Sequence, residues 1–334
     1  MSESTGIGVI GLGIIGNLHI QRLLATTAPA HLAAVVDKNE ALTGQFAEQH
    51  GTYGARDVPD LLAREDVEAV IIAVPSGLHK DLTIAALQAG KHVLLEKPIE
   101  VDVAGADAIR AAEREAGTVL TVASQRRFAP AHQFLKSLLE RDGLGRITSA
   151  TVEVPLWRTQ EYYDSAGWRG TWAMDGGGAL MNQGVHLVDL ALWLLGDVEE
   201  VYAHTGLLAH ENVEVEDTVT ITARLRSGGL LTFLATTAAY GAPPIRVNIM
   251  GDQGSVITVK EQITSFSSVD HPEVPEFEEA DQPQAQLHDF IEAVQGRRDP
   301  LVTSAQARNA VAFIEAVYES GRTGSAVRPA PLRD

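Results

Sequence analysis

The chain has 334 residues, 45% hydrophobic and 21% charged, which suits a globular protein of two domains. Its 26 basic and 44 acidic residues leave a net charge of −18, which disfavours nucleic acid or an anionic membrane as partner. There is no cysteine, so disulfides and thiolate metal sites are excluded. The N-terminal stretch lacks a basic leader and a long apolar run, which predicts a cytoplasmic protein without signal peptide or membrane span.

The first third alternates short apolar runs with helical patterns. Strands are predicted at Ile7–Ile10, Ala33–Asp37, Ala69–Val74, His92–Leu95 and Val119–Val122. Helices are predicted from the glycine-rich Gly11–Gly16 to about Ala25, and at Ala41–His50, Lys80–Ala89 and Val103–Ala116. Strands alternating with helices at this spacing imply a parallel sheet covered on both faces. The pattern ends near residue 124.

Beyond it the period changes. After a helix at Ala131–Glu140, alternating segments at Thr148–Val154, Thr218–Leu225, Leu230–Thr236, Arg246–Ile249 and Ser255–Val259 are separated by glycine turns. One helix, Leu180–Leu195, interrupts them, and Ala285–Gln295 and Ser304–Glu319 close the chain. Pro272–Pro283 predicts an acidic loop. The expected fold is α/β: a dinucleotide-binding domain over 1–124, then an α+β domain over 125–334 with a large, mostly antiparallel open sheet.

Gly11-Leu12-Gly13-Ile14-Ile15-Gly16 follows a strand and opens a helix, and Asp37 lies 21 residues after Gly16 at the end of the next strand. That context makes the motif a dinucleotide site. Gly11 serves the tight turn, Gly13 the approach of a pyrophosphate, and Gly16 the close packing of helix on strand. The helix N-terminus offers N–H groups to the phosphates. Asp37 would accept from the ribose hydroxyls and repel a 2′-phosphate, which predicts NAD over NADP, although Lys38 beside it tempers the choice. Ile14, Ile15, Val74 and Pro75 lie at the same carboxyl edge and complete the cofactor-binding set.

Glu96-Lys97-Pro98 ends the apolar run Val93-Leu94-Leu95. A lysine leaving a buried strand before a proline can turn its amine into a crevice, where burial lowers its pKa toward a working range. Taken alone it suits a strand-end ion pair with Glu96 better than catalysis. Downstream, Gly176-Gly177-Gly178 precedes Asn182, His186 and Asp189, with Asn182 and His186 four apart on one helical face. The three glycines imply close backbone approach, at substrate or at the first domain. Asp189 would orient His186 or cap a neighbour. No ligand spacing for a metal surrounds His186.

These three motifs, in this order, resemble the Gfo/Idh/MocA family of sugar and cyclitol dehydrogenases, over roughly residues 5–325. The stretch Gly77–Pro98 with His79 and the pair Arg127-Phe128 share the resemblance. It implies catalysis by Lys97 with His186, and dimers or tetramers formed through the second-domain sheet. It adds His79, Glu96, Lys97 and Arg127 to the cofactor side. Many members carry aspartate where this chain has Asn182, so a titrating carboxylate is missing and proton transfer falls to Lys97 or His186. Substrate would meet Lys97, Asn182 and His186, together with Arg158, Tyr163, Trp168 and Arg169 from the aromatic-rich loop. The expected reaction is NAD-dependent oxidation of a secondary hydroxyl on a polyhydroxylated ring. A nucleotide-bound sugar sensor and an aldose–aldose oxidoreductase that retains its nucleotide remain alternatives.

Overall fold

The computed structural model describes residues 4–270 and 273–332. Met1–Glu3 of the expected leaderless stretch and Pro272 of the expected acidic loop lie outside the described residues. The chain divides into two compact units. The first comprises Met1–Glu100, Ala104–Ala123 and Pro283–Ala307, the second Val101–Val103, Ser124–Gln282 and Arg308–Asp334.

The first unit is built on six strands: β1 (Thr5–Ile10), β2 (Ala30–Val36), β3 (Tyr53–Gly54), β4 (Ala69–Ile72), β5 (His92–Leu95) and β6 (Leu120–Val122). They run parallel in the order β3-β2-β1-β4-β5-β6. Helices α1 (Ile14–Ala25), α2 (Glu40–His50), α3 (Val58–Leu62), α4 (His79–Gln88) and α5 (Val103–Ala116) form the crossovers. β1 and β4 are buried along their whole length, as strands covered on both faces must be. Strand order reverses between β1 and β4, so the crevice outside their carboxyl ends is the expected ligand position in such a sheet.

The second unit holds α6 (Pro130–Glu140), the short helices α7 (Gln160–Asp164) and α8 (Trp172–Asp175), and α9 (Val185–Leu195). Its strands are β7 (Ile147–Pro155), β8 (Val198–Gly206), β9 (Thr218–Leu225), β10 (Leu230–Thr236), β11 (Arg246–Gly251), β12 (Gly254–Val259) and β13 (Gln262–Ser268). They form one sheet in the order β13-β12-β11-β7-β10-β9-β8, antiparallel except for β7 against β10. In β9, Val219, Ile221, Ala223 and Leu225 are buried while the residues between them are more exposed, which is the alternation of a sheet covered on one face. Helices α10 (Gln282–Val294) and α11 (Ser304–Thr323) complete the chain.

Three expectations need correction. A single cut near residue 124 does not divide the chain, because Pro283–Ala307 returns to the first unit. There Leu287, Phe290 and Ile291 of α10 join Ile7, Val9, Ile20 and Leu94 in one core, and Gln286 Nε2 donates to the Val122 carbonyl. The helix expected over Leu180–Leu195 begins as a wider π turn, Ala179–Gly184, before α9. Strands β3, β8 and β13 and helices α3, α7 and α8 go beyond the predicted elements. No helix among the described residues is long and apolar enough to cross a membrane.

Phe290 is fully buried in the first-unit core. Phe290→Ala is expected to lower unfolding stability by about 3–5 kcal/mol, read as a shift of the denaturant midpoint. A loss under about 1 kcal/mol would show that α10 merely rests on that core.

Candidate active site

At the β1–α1 turn the three glycines do separate jobs. Gly11 has φ +91°, and a Cβ there would lie 2.4 Å from the Ala73 carbonyl oxygen. A Cβ on Gly16 would stand 1.9 Å from the Gly11 carbonyl oxygen, so only glycine lets α1 pack this closely. Gly13 meets nothing within 4 Å. It is the N-cap of α1, and no side chain caps that end. An uncapped helix start beside open space fits a diphosphate. Ile14 and Ile15 beside it are 76% and 45% exposed, apolar surface that a dinucleotide would cover.

Asp37 follows β2 and accepts from the backbone N–H groups of Leu12 (2.8 Å) and Asn39 (2.9 Å). The carboxylate thus fixes the glycine turn. Lys38 next to it is exposed, and Val74 and Pro75 are half-buried after β4.

His79 has another task than the one expected. Its side chain is fully buried, with Nδ1 2.8 Å from the Pro98 carbonyl and Nε2 3.0 Å from the Val74 carbonyl. The ring ties the turn after β4 to the turn after β5 and offers no surface to a cofactor. Burial holds it neutral, with its pKa below the ordinary histidine value.

Lys97 leaves β5 half-buried, at the cis Lys97–Pro98 bond. The Glu96 carboxylate lies 2.8 Å from His19 Nε2 on α1 and accepts the Lys97 backbone N–H at 3.2 Å. His19 escapes a sequence reading because its partner is 77 residues away.

In the second unit, Asn182 stands half-buried on the π turn and His186 on the first turn of α9. The glycine run ahead of them serves its own unit. A Cβ on Gly177 would lie 2.1 Å from the Tyr318 hydroxyl, and one on Gly178 1.7 Å from the Glu216 carbonyl oxygen. The close approach of Gly177 and Gly178 is therefore to Tyr318 on α11 and to Glu216, two residues ahead of β9. The Glu216 carboxylate accepts the N–H groups of Gly178 (2.9 Å) and Leu180 (2.8 Å) and the Tyr318 hydroxyl (3.1 Å).

Asp189 does not orient His186. It takes Arg127 in a bidentate pair, Nε to Oδ2 at 2.8 Å and Nη2 to Oδ1 at 2.6 Å. Arg127, expected at the cofactor, is 1% exposed, and a guanidinium so buried demands such a partner. Tyr163, expected at substrate, is 8% exposed and hydrogen-bonds Thr237 Oγ1 through its hydroxyl at 2.8 Å; burial pushes its pKa up to about 12.

The neighbouring tyrosine is the organising ring. The Arg158 guanidinium lies 5.1 Å and the Arg169 guanidinium 4.3 Å from the centre of Tyr162, and Arg169 also covers Trp168 at 4.7 Å. Arg158 Nη2 donates to Gln183 Oε1 at 2.8 Å, while the buried Nε atoms of both arginines have no hydrogen-bond partner. The Arg158 carbonyl is held by His210 Nε2 at 2.9 Å, and His210 Nδ1 meets Asp217 at 3.0 Å. Gln183 and Tyr162 are the members of this cluster that spacing rules overlook, although Gln183 adjoins Asn182.

Residues 5–124 match the oxidoreductase family with an NAD-binding Rossmann fold, and residues 132–257 the GFO/IDH/MocA C-terminal domain. The chain belongs to the Gfo/Idh/MocA family. It is an NAD(P)-dependent dehydrogenase acting on CH–OH groups. It is similar to an inositol 2-dehydrogenase 2 of Saccharopolyspora erythraea, at 31% identity over 75% of this chain and 72% of that one. A myo-inositol 2-dehydrogenase of Thermotoga maritima is 28% identical over 86% and 82%. Among solved structures, the WlbA dehydrogenase of Bordetella pertussis in complex with NADH and UDP-GlcNAcA superposes with a TM-score of 0.91. It is 32% identical and covers 99% of this chain and 100% of its own.

Burial lowers the pKa of His79 and of His132, whose Nδ1 lies 2.7 Å from the Arg126 carbonyl. As pH falls through about 6.5 the unfolded chain takes up protons that the folded chain refuses, so folding stability is lost toward acid. Unfolding free energies measured from pH 7.5 to 5.5 should fall less steeply in His132→Gln than in the wild type. Equal slopes would show that His132 takes no part in the acid sensitivity.

Proposed function

We propose that the enzyme oxidises a secondary ring hydroxyl of a sugar bearing an anionic group, with NAD preferred over NADP. The observation that carries the substrate class is the pair of guanidinium groups sharing the Tyr162 ring, each with a buried Nε–H left without an acceptor. Two cations gathered on one aromatic ring, each with a buried Nε–H that meets no acceptor, lack a counter-charge. A carboxylate or phosphate supplies both the charge and the acceptors. A neutral cyclitol would leave those needs unmet, which favours the acidic sugar of the WlbA complex over the inositols of the curated relatives as the guide to substrate.

NAD, when bound, supplies the nicotinamide that accepts the hydride. The backbone N–H groups opening α1 would hold the diphosphate, Asp37 the adenosine ribose, and Ile14, Ile15, Val74 and Pro75 the flanking surfaces. Lys97 hydrogen-bonds the reacting hydroxyl and polarises the carbonyl oxygen as it forms. His186 takes the proton, directly or by relay, and Asn182 fixes an adjoining hydroxyl. Asn182 cannot titrate, so the acid–base work rests on Lys97 and His186. Their presence argues against a sensor without turnover.

The outer face of the seven-stranded sheet carries Tyr202, Leu230, Met250 and Ile257, all exposed and in register on one side. This face would take a second copy of the chain, giving the dimer or tetramer the family resemblance implies.

Lys97→Ala is expected to lower kcat by about 10²–10⁴-fold, followed as NADH absorbance with UDP-GlcNAcA as probe. Retention of most of the kcat would remove Lys97 from the chemistry. A comparison of kcat/KM for NAD and NADP should favour NAD because Asp37 repels a 2′-phosphate; a preference for NADP would overturn that choice of cofactor.

A further inference from the structure

The side chains around Asn182 form a hydrogen-bond chain whose direction is dictated from both ends. Arg158 has only donors, so the Gln183 atom it meets at 2.8 Å must be the carbonyl oxygen. The other end of that amide, Nε2, therefore donates, to Asn182 Oδ1 at 2.9 Å and to the Tyr162 hydroxyl at 3.2 Å. Asn182 Nδ2 then donates to Asp175 Oδ1 at 2.5 Å. Asp175, 3% exposed, receives the Gly170 backbone N–H on its second oxygen at 2.6 Å. A guanidinium at one end and a carboxylate at the other leave one arrangement in which each of these contacts pairs a donor with an acceptor.

We infer that Asp175 and Gln183 are positioning residues that set which way the Asn182 amide faces, and so which end of it meets the substrate. This rests on the proposed contact between Asn182 and the sugar. The same chain links Arg158, which recognises the anion, to the amide that holds the hydroxyl. It also suits asparagine at 182, which donates to Asp175 without taking up a proton. A carboxylate there would face the Asp175 carboxylate at hydrogen-bond distance, and the pair would have to take up a proton.

Two substitutions separate orientation from packing. In Asp175→Asn an amide N–H₂ must confront either the Gly170 N–H or the Asn182 N–H₂. In Gln183→Glu a carboxylate must confront the Asn182 carbonyl or force that amide to turn against Asp175. Each single variant therefore holds one mismatched contact. Combined, the two substitutions restore the donor–acceptor match at each contact from Arg158 to Gly170 without changing net charge, but only with the Asn182 amide turned end for end.

Thermal unfolding of the wild type, the two single variants and the double variant reads the chain without substrate. Steady-state kinetics with NAD and UDP-GlcNAcA reads its effect on turnover. Both single variants should lower Tm, and the double variant should recover the wild-type Tm, a strong positive coupling. Its kcat should stay about 10²-fold down, as for a misplaced catalytic contact. Recovery of kcat together with Tm would overturn the inference, since the amide's direction would then be irrelevant. Additive Tm losses would overturn it too, by showing no polarised chain. A wild-type enzyme inactive on the probe would count against the proposed substrate, whereas the thermal cycle still decides whether the chain exists.

Discussion

The second unit depends on one buried carboxylate. Glu216 accepts two backbone N–H groups from the start of the π turn and a tyrosine hydroxyl, and its own carbonyl accepts the Ala179 N–H at 2.9 Å. Those groups would otherwise be orphan donors at a helix start with no side-chain cap. Burial pushes the Glu216 carboxyl up, and the N–H bonds work against that shift. Gly177 and Gly178 leave no space for a side chain, so the turn can sit only where Glu216 and Tyr318 hold it. Asn182 and His186 take their places from that anchor.

The same device recurs through the molecule and explains part of its acidity. Asp37 holds the glycine turn through the Leu12 N–H, and Glu100 meets the Lys80 N–H at the start of α4 at 2.6 Å. Asp217 gathers three consecutive N–H groups, from Leu208, Ala209 and His210. Acids working on backbone donors stabilise loops that lack regular pairing, because charge-assisted bonds to N–H groups are among the stronger ones available. A net charge of −18 is thus partly an internal scaffold and not only a solvated surface.

What the sequence reveals and what it hides divide along range. Strand β5 and helix α5 match their predicted ends, since apolar runs and local breakers act over a few residues. The roles of Gly11, Gly13 and Gly16 were legible because a turn, an open approach and a close packing leave fixed offsets. Strand β8 was hidden because Glu199, Glu200 and His204 mask its alternation. The π turn is hidden because its apolar residues also fit the 3.6-residue spacing of an ordinary helix. Roles set by distant partners were lost entirely: Arg127 with Asp189 spans 62 residues, and Gly178 with Glu216 spans 38. Arginine, tyrosine and histidine near a site read alike in sequence, and only burial separates Tyr163 from Tyr162 or His79 from His186.

The return of Pro283–Ala307 to the first unit bears on modularity. A nucleotide-binding fragment ended at residue 124 would uncover the apolar patch that Leu287, Phe290 and Ile291 fill, and would lose the Gln286 bond to β6. The Thr121 hydroxyl, which donates to the Val302 carbonyl at 2.9 Å, would lose its acceptor as well. The dinucleotide fold of this chain is therefore not a transferable cassette. It is a discontinuous body whose last helix follows the second unit's sheet in the chain.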